Sequence, residues 1–145
     1  MKLRHCLAGI VLCSIALTSQ AADKILFLSI ADALNSEEAK PFMDGVKYYW
    51  GSQKTPAFAT KTDPDDYSGG GNAWKNGAEG SCRQAFLNII ESMYKDARMR
   101  EWDAVIELHS MFDGKPSPND SEYECHAGTF STRVTMVSRF ARLKK

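Results

Sequence analysis

The chain has 145 residues, 43% of them hydrophobic, with 18 Lys and Arg against 18 Asp and Glu. That length fits one domain with a modest core. A balanced charge gives no overall attraction to nucleic acid or to an anionic membrane, so no nucleic-acid partner is expected. No internal repeat or low-complexity tract interrupts the sequence.

Residues 1–21 read as a cleaved signal peptide. Lys2, Arg4 and His5 form a short positive start, and residues 6–18 form an apolar stretch broken only by Ser14. Ser19-Gln20-Ala21 then supplies small residues before a cleavage point after Ala21. The apolar run is shorter than the roughly 20 residues that span a bilayer, so no integral membrane segment is expected after cleavage. Leu12 stands before Cys13, where lipid attachment wants a small residue. Without residues 1–21 the balance is 16 basic to 18 acidic, a net of −2. The expected location is periplasmic, with secretion as the variant. Cleavage removes Cys6 and Cys13 and leaves Cys82 and Cys125, an even count in an oxidising compartment. One structural disulfide is expected between them. The other readings of the two cysteines are a redox pair or metal ligands, but no CxxC motif supports thioredoxin-like chemistry.

Residues 24–30 are branched and aromatic and predict a strand or extended arm. Asn35 and Glu38 have the spacing of a capping box that opens a short helix toward Phe42. Asp44-Gly45 is a turn, and residues 46–50 are an aromatic strand stopped at Gly51. Residues 58–62 suit another strand. From Asp63-Pro64 to Gly80, with Gly69-Gly70-Gly71 in the middle, turn formers predict a mobile surface loop over residues 63–80, pinned by Trp74.

Ser81 and Gln84 form a second capping box, predicting a helix over residues 82–100. Cys82, Phe86, Ile89, Ile90, Met93 and Ala97 recur at three and four and make one apolar stripe. Residues 102–110 predict a strand with Ala104, Ile106 and Leu108 on one face and Val105, Glu107 and His109 on the other. Residues 113–120 are a polar loop. Residues 122–143 are strand-like, with Tyr123, Cys125 and Ala127 on one face and Phe130, Val134, Met136 and Phe140 on the opposite parity. The switch predicts a bulge, or a junction of two strands, at Ala127-Gly128. The expected class is α+β: a small antiparallel sheet packed on one long helix, with one disulfide.

Tyr123-Glu124-Cys125-His126-Ala127-Gly128 carries a resemblance, together with residues 102–108, Ile30-Ala31-Asp32-Ala33-Leu34 and the aromatic segment 46–51. The chain resembles a family of small exported bacterial proteins that often bear the label "excinuclease ATPase subunit". At the level of fold, the helix followed by Ala104-Val105 is also similar to two other groups. One is the putative heavy-metal-binding domain family; the other is the outer-membrane lipoprotein sensor of the Rcs envelope-stress pathway, whose domain is disulfide-bonded. The excinuclease label has no chemistry behind it here. A nucleotide-binding loop needs spaced glycines before Gly-Lys-Ser/Thr. Gly51-Ser52-Gln53-Lys54-Thr55 lacks the second glycine, and Gly69-Gly70-Gly71 precedes Asn72-Ala73-Trp74-Lys75.

Cys125 and His126 are good zinc or copper ligands by type. Neighbours on a strand point to opposite faces, however, so the candidates for a metal reduce to His109 with His126 across adjacent strands. Glu122, Glu124, Glu107 and Asp103 read as a solvated sheet face with no third group for acid–base work. Ser110 beside His109 lacks an oxyanion motif. Arg133, Arg139, Arg142, Lys144 and Lys145 form a basic end. It suits either contact with lipid or lipopolysaccharide phosphate or an edge strand protected by charge. Among Tyr48, Tyr49 and Trp50, alternation puts at least one in the core.

The reading from sequence is therefore an exported, non-enzymatic binding or sensing module without a cofactor. Its partner is an envelope protein or a small ligand, and an oligomer is compatible with it. The alternative is zinc or copper binding through surface histidines. A hydrolase-type enzyme using residues 63–80 as a lid comes last, because no nucleophile–base pair is identifiable.

Overall fold

In the computed structural model, which describes residues 24–144, the first strand β1 (Lys24–Ser29) runs directly into a short helix α1 (Ile30–Leu34). Ser29 makes the change: its hydroxyl accepts from the Asp32 amide at 3.1 Å and caps the helix. Asn35 ends that helix instead of opening one, and a single 3₁₀ turn (Lys40–Phe42) follows. The capping box expected at Asn35 and Glu38 is thus displaced by Ser29, whose cap forms first in the chain. The predicted signal peptide, with Cys6 and Cys13, lies outside the described residues, as does Lys145.

The remaining elements are β2 (Lys47–Trp50), β3 (Phe58–Lys61), β4 (Asp65–Asn72), α2 (Ala73–Met99), β5 (Ala104–Phe112), β6 (Lys115–Ser117), β7 (Glu122–Ala127) and β8 (Ser131–Leu143). They build the α+β architecture expected, one 8-stranded curled sheet on one long helix. The main order is β1-β7-β8-β5-β2, with β3 and β4 on β8 and β6 on β5. Every pair is antiparallel except β2 with β5.

Strand β8 is the spine. Its first part pairs with β4 from Ser131 to Ser138, and its last part with β3 from Ala141 to Leu143. The opposite edge pairs with β7 at Thr132 and Arg133 and with β5 from Met136 to Ala141. The basic C-terminal segment is therefore not an edge strand. Arg139 bridges to Glu107, and Arg142 lies over the Trp102 ring at 5.3 Å.

The inner face of the sheet holds the core. Thr132, Val134, Met136, Ser138 and Phe140 of β8 are all buried, as are Tyr123, Cys125 and Ala127 of β7. Against them lies the predicted stripe of α2, Cys82, Phe86, Ile89, Ile90, Met93 and Ala97, every member buried. Tyr123 stacks on Phe86 with ring centroids 4.1 Å apart, and Phe86 stacks on Trp50 at 5.7 Å. Trp50 is thus the core member of the aromatic trio. Tyr48 is half-buried and donates to the Phe42 carbonyl at 2.9 Å, while Tyr49 packs on a second, outer cluster around Ala104, Ile106 and Ala141.

Cys82 and Cys125 form the expected disulfide, which ties α2 to β7 with a Cα separation of 5.9 Å. Both residues are fully buried. For the 43-residue separation, the chain-entropy model gives about 4 kcal/mol of stabilisation.

Further expectations change. Residues 63–80 are not a loop: residues 65–72 form β4, and α2 begins at Ala73. The glycines are strand residues that thin the sheet under the helix. A Cβ on Gly69 would collide with the Ala85 carbonyl, and one on Gly71 with the Ser81 carbonyl and hydroxyl. Gly70 alternates to the other face and is clear of the helix, its nearest neighbour the Thr132 carbonyl oxygen at 3.6 Å.

The start of α2 also moves. Asn72 caps the helix by accepting from the Lys75 amide at 3.1 Å, and the backbone kinks at Gly77 (φ 69°) before the long run resumes. Ser81 is not a cap. It is buried inside the helix, 2.7 Å from the Thr132 hydroxyl.

The predicted alternation of β5 breaks at Glu107, whose φ of 55° shifts the register against β8 between Ile106 and His109. Val105 and Leu108 therefore share the inner core, whereas Ala104 and Ile106 join the outer cluster. The junction expected at Ala127-Gly128 is a tight turn between β7 and β8, closed by the Gly128 amide donating to Ser131 at 2.9 Å. It leaves Phe130 70% exposed instead of in the core.

Candidate functional site

The start of β8, the end of β7, the glycine strand β4 and the first turns of α2 converge on one open cleft of about 920 Å³. Pairing lines up Ile25, His126, Arg133 and Gly70 as one row across β1, β7, β8 and β4. Directly opposite residues in antiparallel strands share a face, so Arg133 stands between His126 and the bare backbone of Gly70. Because Gly70 has no side chain, that end of the row is hollow.

Each polar group in the cleft has a local cause. Asn72 is held by its capping role, and Lys75 and Asn76 project from the turn it caps. Gln84 comes from the next turns of α2, and Ser131 from the hairpin turn. His126 is fixed on two sides. Its ring lies on Phe112 with centroids 3.4 Å apart and planes 6° from parallel, and its Nε2 hydrogen-bonds Glu124 Oε1 at 2.6 Å. These two contacts set the ring orientation. Phe112 reaches this place because Asp113-Gly114 turns β5 into β6 with both residues at positive φ (48° and 72°), the preferred two-residue hairpin chemistry.

The charge of the lining is one-sided. Lys75, Arg133 and His126 are there, with Asn72, Asn76 and Gln84, and no lining residue is Asp or Glu. Glu124 sits behind the His126 ring, outside the lining. Neither Lys75 nor Arg133 forms a salt bridge among the described residues. Other hollows are mixed: Arg83 shares one with Glu38 and Glu91 and another with Asp32 and Glu79, and a fourth sets Lys47 and Lys144 beside Asp103. Two unpaired cations beside amide donors can hold an anion by charge-assisted hydrogen bonds.

The residues singled out from sequence are scattered by comparison. His109 does not meet His126 through a shared partner, since its Nδ1 is engaged by the Glu107 carbonyl at 2.7 Å. Among the described residues no three His, Cys, Asp or Glu side chains converge to hold a metal ion. Glu107 instead faces Lys61 at 2.7 Å and Arg139 at 2.9 Å. The Lys61 hydrogen bond, backed by the Lys61 and Arg139 charges, holds its carboxyl below the usual carboxylate range. Asp103 accepts from the Leu143 amide, and Ser110 is buried and accepts from the Glu124 amide. Glu107, Asp103 and Glu124 thus serve different partners, and no Ser110–His109 hydrogen bond forms among the described residues.

Lys75, Asn76, Gln84 and Gly70 were missed in the sequence. The available signal was the string Gly69-Gly70-Gly71-Asn72, a possible strand with a cap rather than a loop. Comparison of the chain with protein-family models, with curated proteins and with solved structures finds no match.

Proposed function

We propose that this chain is an exported, disulfide-held binding domain that takes an anionic ligand in the cleft between Gly70, Lys75, His126 and Arg133. The observation that carries the reading is the one-sided lining: three basic side chains, three amide side chains and no carboxylate. A non-enzymatic role accords with the partners of the site. His126 is bound to Glu124 and stacked on Phe112. The Thr132 hydroxyl is paired with Ser81 inside the core, and among the described residues His126 makes no hydrogen bond to Ser68 or Ser131, the other hydroxyls of the lining.

Export is supported by the signal-like residues 1–21 and by the buried Cys82–Cys125 bond, which suits an oxidising compartment. Among the described residues no helix is long and apolar enough to cross a membrane. The alternative, zinc or copper on His109 and His126, lacks a third ligand, because among the described residues no three His, Cys, Asp or Glu side chains converge.

Isothermal titration with inorganic phosphate at low ionic strength tests the proposal. Saturable binding is expected, weakened about tenfold or more by Arg133→Ala or Lys75→Ala, as for loss of a charged hydrogen bond. His109→Ala should bind as the wild type does. Absence of saturable binding, or equal affinity in the Arg133 and Lys75 variants, refutes it.

A further inference from the structure

The turns that supply Lys75 and Ser131 to the cleft also carry two large aromatic side chains that the core does not use. Trp74 is 79% exposed and Phe130 70% exposed. They come from segments 56 residues apart in the chain yet lie side by side, with ring centroids 6.3 Å apart. The backbone holds them there: the Ala73 amide donates to the Phe130 carbonyl at 3.0 Å, and the Gly128–Ser131 turn braces Phe130 from behind. Trp74 follows the helix cap Asn72, and Phe130 sits at the tip of the β7–β8 turn. Both therefore stand side by side, exposed, on adjoining turns.

Lys75 adjoins Trp74 in sequence, and Arg133 lies three residues beyond Phe130; both line the cleft beneath the tip and neither is ion-paired among the described residues. Aromatic rings, Trp above all, settle at the boundary between lipid headgroups and acyl chains. Basic side chains just behind them meet the headgroup phosphates. A paired apolar tip with two free cations at its base is complementary to that layered surface.

We infer that the Trp74–Phe130 tip docks this domain on an anionic phospholipid surface, with the cleft receiving a lipid phosphate. The inference rests on the anion-binding reading of the cleft and names the source of the anion as a membrane headgroup. Shallow insertion is enough, since the tip has two rings and the apolar stripe of α2 behind it is buried in the core. Binding of this kind is reversible and salt-sensitive.

The test is sedimentation of the purified, oxidised protein with vesicles of phosphatidylglycerol and phosphatidylcholine, beside vesicles of phosphatidylcholine alone. Tryptophan emission is recorded in parallel, because Trp50 is buried and Trp74 is the most exposed tryptophan. Binding to the anionic vesicles with a blue shift is expected. Trp74→Ala/Phe130→Ala should lower vesicle binding about tenfold or more while keeping wild-type affinity for inorganic phosphate. Lys75→Ala/Arg133→Ala should lower vesicle binding roughly 25-fold, from about 1 kcal/mol per basic residue, and should lose phosphate as well.

Phosphate binding that persists while wild-type protein ignores anionic vesicles overturns the membrane inference and leaves the cleft reading standing. Loss of phosphate binding in the wild type overturns the cleft reading itself. Equal vesicle binding by the Trp74/Phe130 variant excludes the aromatic tip as the anchor. A dimer in solution that the same variant abolishes assigns the tip to self-association instead and likewise overturns the inference.

Discussion

Alanine at Gly69 and at Gly70 should act in opposite directions, although the two residues are neighbours and the chemical change is the same. A Cβ on Gly69 points at α2, where it overlaps the Ala85 carbonyl and comes within 3.0 Å of Ile89 Cγ1. Ala85 and Ile89 are buried among Phe86, Ile90 and the β8 side chains, and the obstacle is backbone, so no rotamer change relieves the overlap. Overpacking typically costs about 1–3 kcal/mol, and a backbone obstacle puts Gly69→Ala near the top of that range. A Cβ on Gly70 points away from the helix, with its nearest neighbour 3.6 Å off. There alanine only removes freedom from the unfolded chain, a gain of about 0.4–1 kcal/mol. Equilibrium urea unfolding of both oxidised variants reads the difference. With an m-value of roughly 2 kcal/mol/M, a gap of about 3 kcal/mol separates the midpoints by about 1.5 M. Coincident midpoints, or a lower midpoint for Gly70→Ala, would refute the assignment of the glycines to close helix–strand approach.

Cys82→Ala/Cys125→Ala should lower stability by about 4 kcal/mol on the chain-entropy model, read as the shift in urea midpoint against oxidised wild type. An unchanged midpoint would mean that the bond constrains nothing. Ser138 is fully buried with its hydroxyl unpartnered, so Ser138→Ala should be neutral or stabilising by up to about 1 kcal/mol, checked by thermal unfolding. Burial pushes the Tyr123 hydroxyl up to about 12 and raises those of Tyr48 and Tyr67 further, with Asp96 adding to the effect on Tyr67. A raised folded value means stability that is full below the ordinary tyrosine range and falls as pH rises through the folded values. Denaturation midpoints should therefore drop in alkali, in step with late ionisation followed at 295 nm. Glu107 has the opposite sign: its depressed carboxyl adds stability above the ordinary carboxylate range that is lost as pH falls through the folded value. Because the pair is partly exposed, Glu107→Gln should change neutral-pH stability by less than about 1 kcal/mol and flatten the acid limb of the stability profile.

The parts legible in the sequence were those written in periodicity and cysteine count. The stripe of α2 follows from its three-and-four spacing, and the Cys82–Cys125 pairing from the even count of cysteines beyond residues 1–21. So does the pairing of the α+β class with one long helix. What failed was punctuation. Glycines 69 to 71 look like a breaker because the reason for the outer two is tertiary: Gly69 admits Ala85 and Gly71 admits Ser81 of a helix that follows later in the chain. Ser81 and Gln84 have capping-box spacing, yet Asn72 caps the helix earlier and Ser81 is recruited by Thr132. The alternation of β5 looks regular in the sequence because Glu107 carries no signature of positive φ. The cleft was hidden for the same reason, since its members lie on four segments that only the pairing of β4, β7 and β8 assembles.

The most direct test of the central claim is a backbone amide NMR titration of the oxidised protein with inorganic phosphate at low ionic strength. The account predicts saturable shifts confined to residues 68–76, 84, 112, 126–128 and 131–133, absent in Lys75→Ala/Arg133→Ala. Shifts centred on Arg83, or on Arg139 and Arg142, or no saturable shift at all, would contradict it.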